Sequence, residues 1–369
     1  MSAIKAAVSS GSQKTGELAK LIQIPYPVAS DDQLIIKAVA YAANPTDWKH
    51  IVLGWGPAGS VVGSDVSGIV EKIGKNVKGF EVGDYVSTTL HGNHLQERGA
   101  FADYVIVDPD TSLKFDKASF DEAQLAPGTY PPSPIKNFEG AAAINLSLAT
   151  VALSFADSLK IPDDKKENAD TFILIWGGAT STGIVAIQIA KLVYGLKVIT
   201  TASAKNHEFL KSLGADVVLD YRNPDIVESI IKVAGGKIAY ALDSVSSKET
   251  YQQMYDSTKG SKKVAFDNLL FLTEKDIKLD PERKSDTFGG TLVYLATGET
   301  QVLGDLVIEA TPELIRSYKH FWYDLLPPHL AQLKTPALRV LPNGLQSTNE
   351  ALELLRENKV SGEKVVFRA

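Results

Sequence analysis

The sequence predicts an α/β protein that combines a β-rich domain with a doubly wound parallel sheet. Short apolar runs separated by frequent glycines fill the first third of the chain, a texture typical of a small β-barrel or sandwich. From Thr171 onwards, apolar runs of strand length alternate with helix-like segments of roughly ten residues, which is the pattern of parallel βαβ units. A chain of 369 residues also favours two domains over one core.

The first part of the chain is predicted as strands joined by turns and loops. The apolar run at 33–43 predicts a strand that ends in a turn at Asn44–Asp47. The proline-containing segment 126–139 and the charged segment 163–170 are expected to be loops. Between them, the residues 140–159 are rich in Ala and Leu and predict a helix.

The second part alternates regularly between the two kinds of element. Strands are predicted at 171–176, 197–201, 217–220, 238–243 and 292–296. Helices are predicted between them at 183–192, 206–213 and 225–233. A helix at 351–357 and a strand at 363–367 are predicted to close the chain.

Charge and cysteine content argue against several classes of function. The net charge is −6 at pH 7, so counterion release would not favour binding and no nucleic-acid partner is expected. The absence of cysteine rules out disulfides, thiolate zinc sites and a cysteine nucleophile. The N-terminus does not resemble a signal peptide and the apolar runs have strand length, so we expect a cytoplasmic protein without a membrane partner.

A glycine-rich turn joins the predicted strand at 171–176 to the helix at 183–192. Such a turn lets the backbone approach a pyrophosphate, and the helix N-terminus offers free N–H groups to that anion. A glycine at the helix start also lets the helix pack closely on the strand. A turn without a ligand is the alternative, but the strand–turn–helix–strand context favours a dinucleotide. The residues predicted to bind it are Gly177, Gly178, Ala179, Thr180, Ser181, Thr182 and Gly183.

The tip of the second strand in this series predicts which dinucleotide is bound. NAD sites place an Asp or Glu there for the ribose 2′-hydroxyl, but residues 200–207 contain no carboxylate. Ser203 and Lys205 offer a hydroxyl and a cation to a 2′-phosphate, and Asn206 lies beside them. We therefore predict NADPH as the cofactor, with a solvated lysine at a helix start as the alternative for Lys205.

Six motifs spread over the chain carry a family resemblance. They are Asn-Pro-x-Asp at 44–47, Gly-x-Asp-x-x-Gly-x-Val at 63–70, Val-Gly-Asp-x-Val at 82–86, Gly-Ala-Phe-Ala-x-Tyr at 99–104, Gly-Ala-Asp at 214–216 and Gly-x-Lys-x-Val at 362–366. Together they make the sequence resemble the medium-chain dehydrogenase/reductase superfamily. The nearest branch is that of zinc-free quinone oxidoreductases and fungal trans-acting enoyl reductases.

The resemblance implies a domain division and a place for the chemistry. Residues 1–145 would form a GroES-like catalytic domain, residues 146–310 an inserted Rossmann domain, and residues 311–369 would return to the catalytic domain. The active site would lie in the cleft between the domains and take a small-molecule substrate. Relatives of this kind occur as monomers and homodimers, and both states stay open.

Two departures from the family pattern concern the metal and the phosphates. Zinc-dependent members carry Gly-His-Glu where this chain has Gly63-Ser64-Asp65, and they carry a lobe of cysteines. His91 and His94 could suggest a metal, but no third ligand is evident, so we predict no metal and a polar loop. Thr180 replaces a glycine of the family fingerprint, so either the turn is reshaped or its hydroxyl binds a phosphate oxygen.

Three residues are candidates for the chemistry itself. Without zinc, a hydride acceptor that develops negative charge on oxygen needs hydrogen-bond or proton donors. The resemblance places Lys49 in the active site, where an ammonium would stabilise an enolate; the alternative is an exposed lysine. It also places the hydroxyl of Thr150 at the nicotinamide, or else in the core of an Ala-rich helix. Asn44 would orient the nicotinamide or Lys49, unless it is only a turn residue.

Further cofactor contacts follow from the resemblance. Tyr221 would lie beside the adenosine 2′-phosphate, and the main chain at Ser244, Leu295 and Ala296 would pass along the cofactor. The predicted function is zinc-independent, NADPH-dependent reduction of an activated C=C or C=O in an enoyl, quinone or aldehyde substrate. The alternative is an NADPH-binding sensor or structural protein of the same fold without turnover.

Overall fold

The computed structural model describes residues 3–304 and 306–369. Within them, the strands are β1 (Ala3–Ser9), β2 (Ala19–Pro25), β3 (Leu34–Ala42), β4 (Asp65–Ile73), β5 (Tyr85–Thr89), β6 (Tyr104–Val107), β7 (Ser112–Phe115), β8 (Gly128–Tyr130), β9 (Phe172–Trp176), β10 (Lys197–Thr201), β11 (Val217–Leu219), β12 (Ile238–Asp243), β13 (Ala265–Asn268), β14 (Thr287–Phe288), β15 (Gln301–Leu303), β16 (Leu306–Ile308), β17 (Ala337–Leu341) and β18 (Glu363–Arg368). The α-helices are α1 (Pro45–Val52), α2 (Phe138–Ala142), α3 (Asn145–Leu153), α4 (Lys165–Asn168), α5 (Ser181–Leu192), α6 (His207–Ser212), α7 (Ile226–Ala234), α8 (Lys248–Ser257), α9 (Pro312–His320) and α10 (Thr348–Arg356).

The chain divides into two compact units. The first unit comprises Met1–Leu146, Tyr294–Ala310 and Lys334–Ala369, and the second comprises Ser147–Val293 and Thr311–Leu333. The predicted division differs from this one in two segments. Residues 294–310 were predicted in the Rossmann domain but belong to the first unit, and residues 311–333 were predicted in the catalytic domain but belong to the second. The physical reason is that α9 packs on the π-helical turn Ser154–Ser158 of the second unit, whereas Gln301 hydrogen-bonds His91 in the first.

The main sheet of the first unit joins both ends of the chain. Its strand order is β7-β5-β4-β3-β18-β17-β8, and β6 also pairs with β3. The last strand, β18, runs antiparallel to β3, with Phe367 opposite Tyr41. The rings of Tyr41, Phe101 and Phe367 are fully buried and lie within 5.0–5.6 Å of one another. This aromatic contact ties the C-terminal strand into the core of the N-terminal domain.

The second unit is built on a parallel sheet, as the alternating pattern predicted. Its strand order is β11-β10-β9-β12-β13-β14, and each neighbouring pair is parallel. The chain moves outward from β9 to β11 and then outward in the other direction from β12 to β14. Since crossovers between parallel strands are right-handed, this order puts helices on both faces of the sheet. The prediction of an α/β fold with a doubly wound sheet is confirmed.

Several local predictions were wrong. Asn44–Asp47 is not a free turn but the start of α1, because Pro45 occupies the first helical position and Asp47 accepts a hydrogen bond from the Asn44 N–H. The expected strand at 292–296 is the 3₁₀ turn Val293–Thr297, since a short buried apolar run carries no period that separates helix from strand. The two expected loops contain β8 and α4.

The apolar segment after β8 is longer than the strand-length runs from which no membrane partner was expected. The helical stretch Phe138–Ser158 has 21 residues and a mean hydropathy of 1.4, long and apolar enough to cross a membrane by length and composition. However, 94 % of its most apolar window is buried inside the protein. A buried core helix passes the same test, so the stretch is weak evidence for a membrane span.

Gly183 offers a test of how the second unit is packed. A Cβ at this position would lie 2.4 Å from the carbonyl oxygen of Gly177 and 2.8 Å from Cα of Gly178. Because both contacts are with backbone, we expect Gly183→Ala to destabilise the protein by about 2 kcal/mol or more. Calorimetry of the full chain would show a lower melting temperature, and an unchanged one would contradict the close approach of α5 to the turn.

Candidate functional site

In the second unit, the glycine turn between β9 and α5 has the features of an anion site. Gly177 has a φ of +84°, which favours glycine. A Cβ at Gly178 would lie 2.1 Å from Oγ1 of Thr200, so the turn can approach β10 only with glycine there. Within the described residues, the N–H groups of Ser181 and Thr182 have no hydrogen-bond partner. They are free donors at the start of a 12-residue helix, which suits a phosphate.

The half-buried side chain of Thr180 is held by hydrogen bonds within the protein. Its Oγ1 accepts a hydrogen bond of 2.9 Å from the N–H of Gly183 and donates one of 2.9 Å to Oγ of Ser244. The Ser244 hydroxyl lies 2.7 Å from the carbonyl oxygen of Trp176 and can donate to it. The Thr180 hydroxyl therefore caps α5 and links it to the end of β12.

The predicted 2′-phosphate residues follow the ends of two adjacent strands. Strands β10 and β11 are parallel, with Thr201 opposite Leu219, so the segments after them share one edge of the sheet. Ser203 and Asn206 are half-buried and hydrogen-bonded to each other at 3.3 Å. Lys205 is exposed, and Tyr221 is 49 % exposed. These residues combine a cation and polar groups at one sheet edge.

The carboxylate that directly follows β11 has its own counterion. Asp220, the first residue after β11, forms an ion pair of 2.5 Å with Arg222. The Arg222 side chain and N–H hold the pKa of Asp220 below its ordinary value. Because Arg222 neutralises Asp220, the edge does not present an unpaired negative charge from this residue to an anionic ligand.

The remaining cofactor candidates lie in different parts of the fold. Thr150 is buried in α3. Leu295 and Ala296 are each 4 % exposed and belong to the 3₁₀ turn Val293–Thr297. The first unit contains that turn from Tyr294 onwards, whereas Thr150 belongs to the second unit.

In the first unit, Asn44 is the centre of a buried polar cluster. Its Nδ2 donates to Oδ2 of Asp65 at 2.8 Å, and its Oδ1 accepts a hydrogen bond from Lys364. Lys364 also forms an ion pair of 3.3 Å with Asp65. Leu146 donates its N–H to the other oxygen of Asp65 at 2.8 Å. The lysine that Asn44 holds is therefore Lys364 of β18.

A second set of polar side chains continues from this cluster along the start of α1. The Ser64 hydroxyl donates to Oδ1 of Asp47 at 2.7 Å and lies 3.4 Å from Oη of Tyr294. The Tyr294 hydroxyl lies 2.7 Å from Oγ1 of Thr46. Asp47, Ser64 and Tyr294 are buried, while Thr46 is half-buried.

Two histidines extend the same path. The Nε2 atoms of His50 and His91 are 2.8 Å apart, and Nδ1 of His50 is 3.1 Å from Oγ1 of Thr46. His91 Nδ1 lies 2.8 Å from Oε1 of Gln301. The His91 ring is also stacked on Tyr294. The sequence suggested that His91 lies in a polar loop; the structure shows in addition that it is packed and hydrogen-bonded within this array.

Lys49 lies on the same helix as Thr46 and His50. It is half-buried, and its Nζ is 5.9 Å from the centre of the Trp48 ring. Burial lowers the pKa of the Lys49 ammonium. Residues three apart share a helix face, so Lys49 and the Thr46 hydroxyl form the partly exposed side of this array.

Comparison with known proteins places both units in one family. Residues 30–117 match the alcohol dehydrogenase GroES-like domain, and residues 181–303 match the zinc-binding dehydrogenase family. The chain is 34 % identical to the protein YNL134C of Saccharomyces cerevisiae, over 93 % of each chain. The chain belongs to the medium-chain dehydrogenase/reductase superfamily.

Within the superfamily, the similarity is to the enoyl-reductase and quinone-oxidoreductase branch. The chain is 30 % identical to the trans-enoyl reductase ACTTS2 of Alternaria alternata, over 96 % of this chain and 97 % of that relative. The quinone oxidoreductase from Coxiella burnetii shares the fold with a TM-score of 0.66 and 22 % identity over 100 % of both chains. The chain is accordingly an oxidoreductase of this branch, and the predicted family and fold are confirmed.

Most residues of the array in the first unit could not be singled out as functional from the sequence of this oxidoreductase. Lys364 and Asp65 stood only in family motifs, and Tyr294 lay in a segment predicted as a strand. His50 carried no signal except its position four residues after Thr46, which is one helical turn. That spacing becomes informative only when residues 45–52 are recognised as a helix.

Burial sets the protonation of the oxidoreductase's polar array. It raises the pKa of Asp47 to about 7, against the hydrogen bonds from Ser64 and Asn44. It also raises the pKa of Asp65, although the Lys364 ammonium opposes that shift. Burial lowers the pKa of His50 to about 4 and that of His91 to about 2. At neutral pH both histidines are therefore uncharged, and Asp47 is close to its midpoint.

The raised pKa of Asp47 predicts a pH-dependent stability. The unfolded chain releases this proton near pH 3.8 and the folded chain near pH 7, so the folded state binds more protons between these values. The contribution of Asp47 to the free energy of unfolding therefore falls as the pH rises from 3.8 to about 7. Asp47→Asn removes the titration. In urea unfolding, the stability of the wild type relative to this variant should fall across that range. A constant difference would contradict the assignment.

Proposed function

We propose that the protein is a zinc-independent, NADPH-dependent reductase of an activated C=C or C=O bond. The observation that carries the proposal is the edge after β10 and β11, where Lys205 is exposed and the carboxylate of Asp220 is paired with Arg222. An anionic 2′-phosphate would gain a cation there, and the Asp220 carboxylate would repel it less because Arg222 neutralises that carboxylate. The relatives named trans-enoyl reductase support an enoyl substrate, while quinones and aldehydes stay open.

Residues of the second unit fit the cofactor. The free N–H groups of Ser181 and Thr182 would hold its pyrophosphate, and Ser203, Lys205 and Tyr221 its 2′-phosphate. When bound, NADPH supplies a hydride to the substrate. The protein's own part is to hold the substrate and stabilise the negative charge that develops on its oxygen, for which the ammonium of Lys49 is proposed.

Zinc independence rests on the residues at the corresponding positions. The chain has no cysteine. The family resemblance places Ser64 and Asp65 where zinc-dependent relatives carry His and Glu. Ser64 donates a hydrogen bond to Asp47, and Asp65 forms an ion pair with Lys364. Among the described residues, no group of three or more His, Cys, Asp or Glu could hold a metal ion.

The direct test is loss of NADPH absorbance with a panel of enones, enoyl thioesters, quinones and aldehydes. Turnover that is unaffected by a zinc chelator is expected with at least one conjugated carbonyl. Tight NADPH binding with no turnover on the entire panel would instead favour a sensor or structural protein. Absence of NADPH binding by calorimetry would overturn the proposal.

Lys205 tests the choice of cofactor. Replacing Lys205 by Ala removes the exposed cation, so we expect the Kd for NADPH to rise about tenfold or more, whereas the Kd for NADH stays within about twofold. Lys205→Arg keeps the charge and should keep most of the NADPH affinity. Equal loss of affinity for NADPH and NADH would contradict the hypothesis that Lys205 binds the 2′-phosphate.

Lys49 tests the proposed stabilisation of the substrate oxygen. Removal of one oxyanion donor costs about 100-fold in kcat in well-studied cases, and we expect Lys49→Ala to lower kcat by about that factor with little change in NADPH affinity. The exposed Lys75, which pairs with Asp31, provides the matched control Lys75→Ala. A collapse of NADPH affinity in Lys49→Ala would show that the role assigned to Lys49 is wrong.

A further inference from the structure

We propose that Asp47 is an internal proton store that feeds the half-buried hydroxyl of Thr46 through Ser64 and Tyr294. This inference rests on the proposed function, because each reduction that adds a hydride to the substrate must also add a proton. The store and its path lie wholly within the first unit. The proposal makes Asp47, Ser64 and Tyr294 positioning residues for proton delivery.

The path is continuous and largely sealed from solvent. Its steps are 2.7 Å from Asp47 to Ser64, 3.4 Å from Ser64 to Tyr294, and 2.7 Å from Tyr294 to Thr46. Asp47 is 2 % exposed, Ser64 1 % and Tyr294 4 %. Thr46 is the most exposed member of the path. A proton held at Asp47 therefore reaches the surface of this array at Thr46.

The tautomers of His50 and His91 determine in which direction the hydrogen bonds along the path are donated. Nε2 of Gln301 donates to the carbonyl oxygens of Glu299 and Tyr294, so its Oε1 faces His91 and accepts from Nδ1. A neutral His91 then has a bare Nε2, and His50 must donate to it from its own Nε2. The Nδ1 of a neutral His50 then carries no proton and accepts a hydrogen bond from the Thr46 hydroxyl.

With these tautomers, the whole array can point one way. Protonated Asp47 donates a hydrogen bond to Ser64, and Ser64 donates to Tyr294. Tyr294 in turn donates to Thr46, which donates to His50. One further contact, 2.9 Å between Nδ1 of His50 and the carbonyl oxygen of Thr46, is satisfied only when Nδ1 carries a proton. Because burial lowers the pKa of His50 to about 4, His50 stays neutral at pH 7, and the substrate anion is the acceptor of the Thr46 proton in the proposed step.

The charges around Asp47 support a proton at this position. Asp47 shares its surroundings with Asp65 and the ammonium of Lys364, and Lys364 is committed to Asp65 at 3.3 Å. On the other side, the array meets neutral His50 and His91, and His94 beyond them lies near Glu299 and Arg98. Burial brings the pKa of Asp47 to about 7, which suits exchange of a proton at neutral pH.

The proposed step balances as follows. The O–H bond of Asp47 breaks and its proton passes to Ser64, while the hydroxyl protons of Ser64 and Tyr294 each move one place onward. Thr46 gives its own proton to the substrate anion left by hydride addition and receives one from Tyr294. Asp47 remains as a carboxylate that accepts from Ser64 and from the Asn44 N–H. After product leaves, water reprotonates the store through Thr46.

The variant Asp47→Asn distinguishes proton storage by Asp47 from a purely structural role of this residue. The amide can accept from the Asn44 N–H and donate to Ser64, so it copies the hydrogen bonds of protonated Asp47 but releases no proton. We expect kcat with NADPH and the best substrate of the panel to fall about tenfold or more, with KM for NADPH unchanged and the pH dependence near neutrality lost. Tyr294→Phe should do the same, because it interrupts the path.

Two variants serve as controls for these readouts. Thr46→Val should match Tyr294→Phe, whereas Thr46→Ser keeps the hydroxyl and should restore the wild-type pH profile. Asp31→Asn, at an exposed carboxylate of the same unit that pairs with Lys75, should leave kcat and its pH profile unchanged. A wild-type pH profile in both Asp47→Asn and Tyr294→Phe would overturn the proposal.

A measurement without turnover keeps this proposal distinct from the proposed function. Infrared difference spectra of the full chain between about pH 5 and about pH 9 should show a buried carboxyl band that titrates near neutrality and disappears in Asp47→Asn. If the wild type reduces no substrate but shows this band, the reductase proposal fails and the store at Asp47 stands. If no such band is lost in the variant, the proton store is excluded whether or not the protein is a reductase.

Discussion

The buried ion pair between Lys364 and Asp65 is the interaction on which the first unit depends. Both side chains are at most 3 % exposed, and an ammonium without its carboxylate in that place would cost several kcal/mol. The pair joins the last strand to β4, and Asn44 between them fixes the start of α1. The polar array from Asp47 to His91 is built on that helix start. The position of this array is thus set by a contact between residues 299 apart in sequence.

The two units solve the problem of unsatisfied helix starts in different ways. In α1, Pro45 has no N–H to satisfy, the N–H of Asp47 donates to the carbonyl oxygen of Asn44, and the Asp47 carboxylate accepts from the N–H of Asn44. In α5, Thr180 satisfies only the N–H of Gly183, and the donors of Ser181 and Thr182 remain free. A helix start whose N–H groups are bonded within the protein stabilises the fold, whereas one with free N–H groups retains capacity for an anion. This difference separates the structural helix start from the one suited to a phosphate.

The regular part of this fold could be predicted because it follows from local pattern. The strands and helices between residues 171 and 243 alternate with clear apolar runs, and the structure has them within a few residues. The helix α1 was missed because Asn-Pro-Thr-Asp suits a turn as well as a helix start. The role of Lys364 could not be read at all, since a lysine inside a strand reads as solvent-facing until its partner across the sheet is known. Tyr294 and Gln301 likewise gain meaning only from the residues that the fold brings to them.

The buried part of the array in the first unit holds one cation, Lys364, for the two carboxylates Asp47 and Asp65, and this imbalance of charge decides which carboxylate is protonated. Lys364 contacts Asp65 directly, while Asp47 meets only hydroxyl and N–H donors at its oxygens. Ionising both carboxylates would leave one buried charge uncompensated, which a low-dielectric interior strongly disfavours. The proton therefore settles on the carboxylate without a counterion, which is Asp47. A fold that needed Asp47 only as a helix cap would gain from placing it in solvent; buried beside an occupied ion pair, it becomes an acid that can exchange its proton at neutral pH.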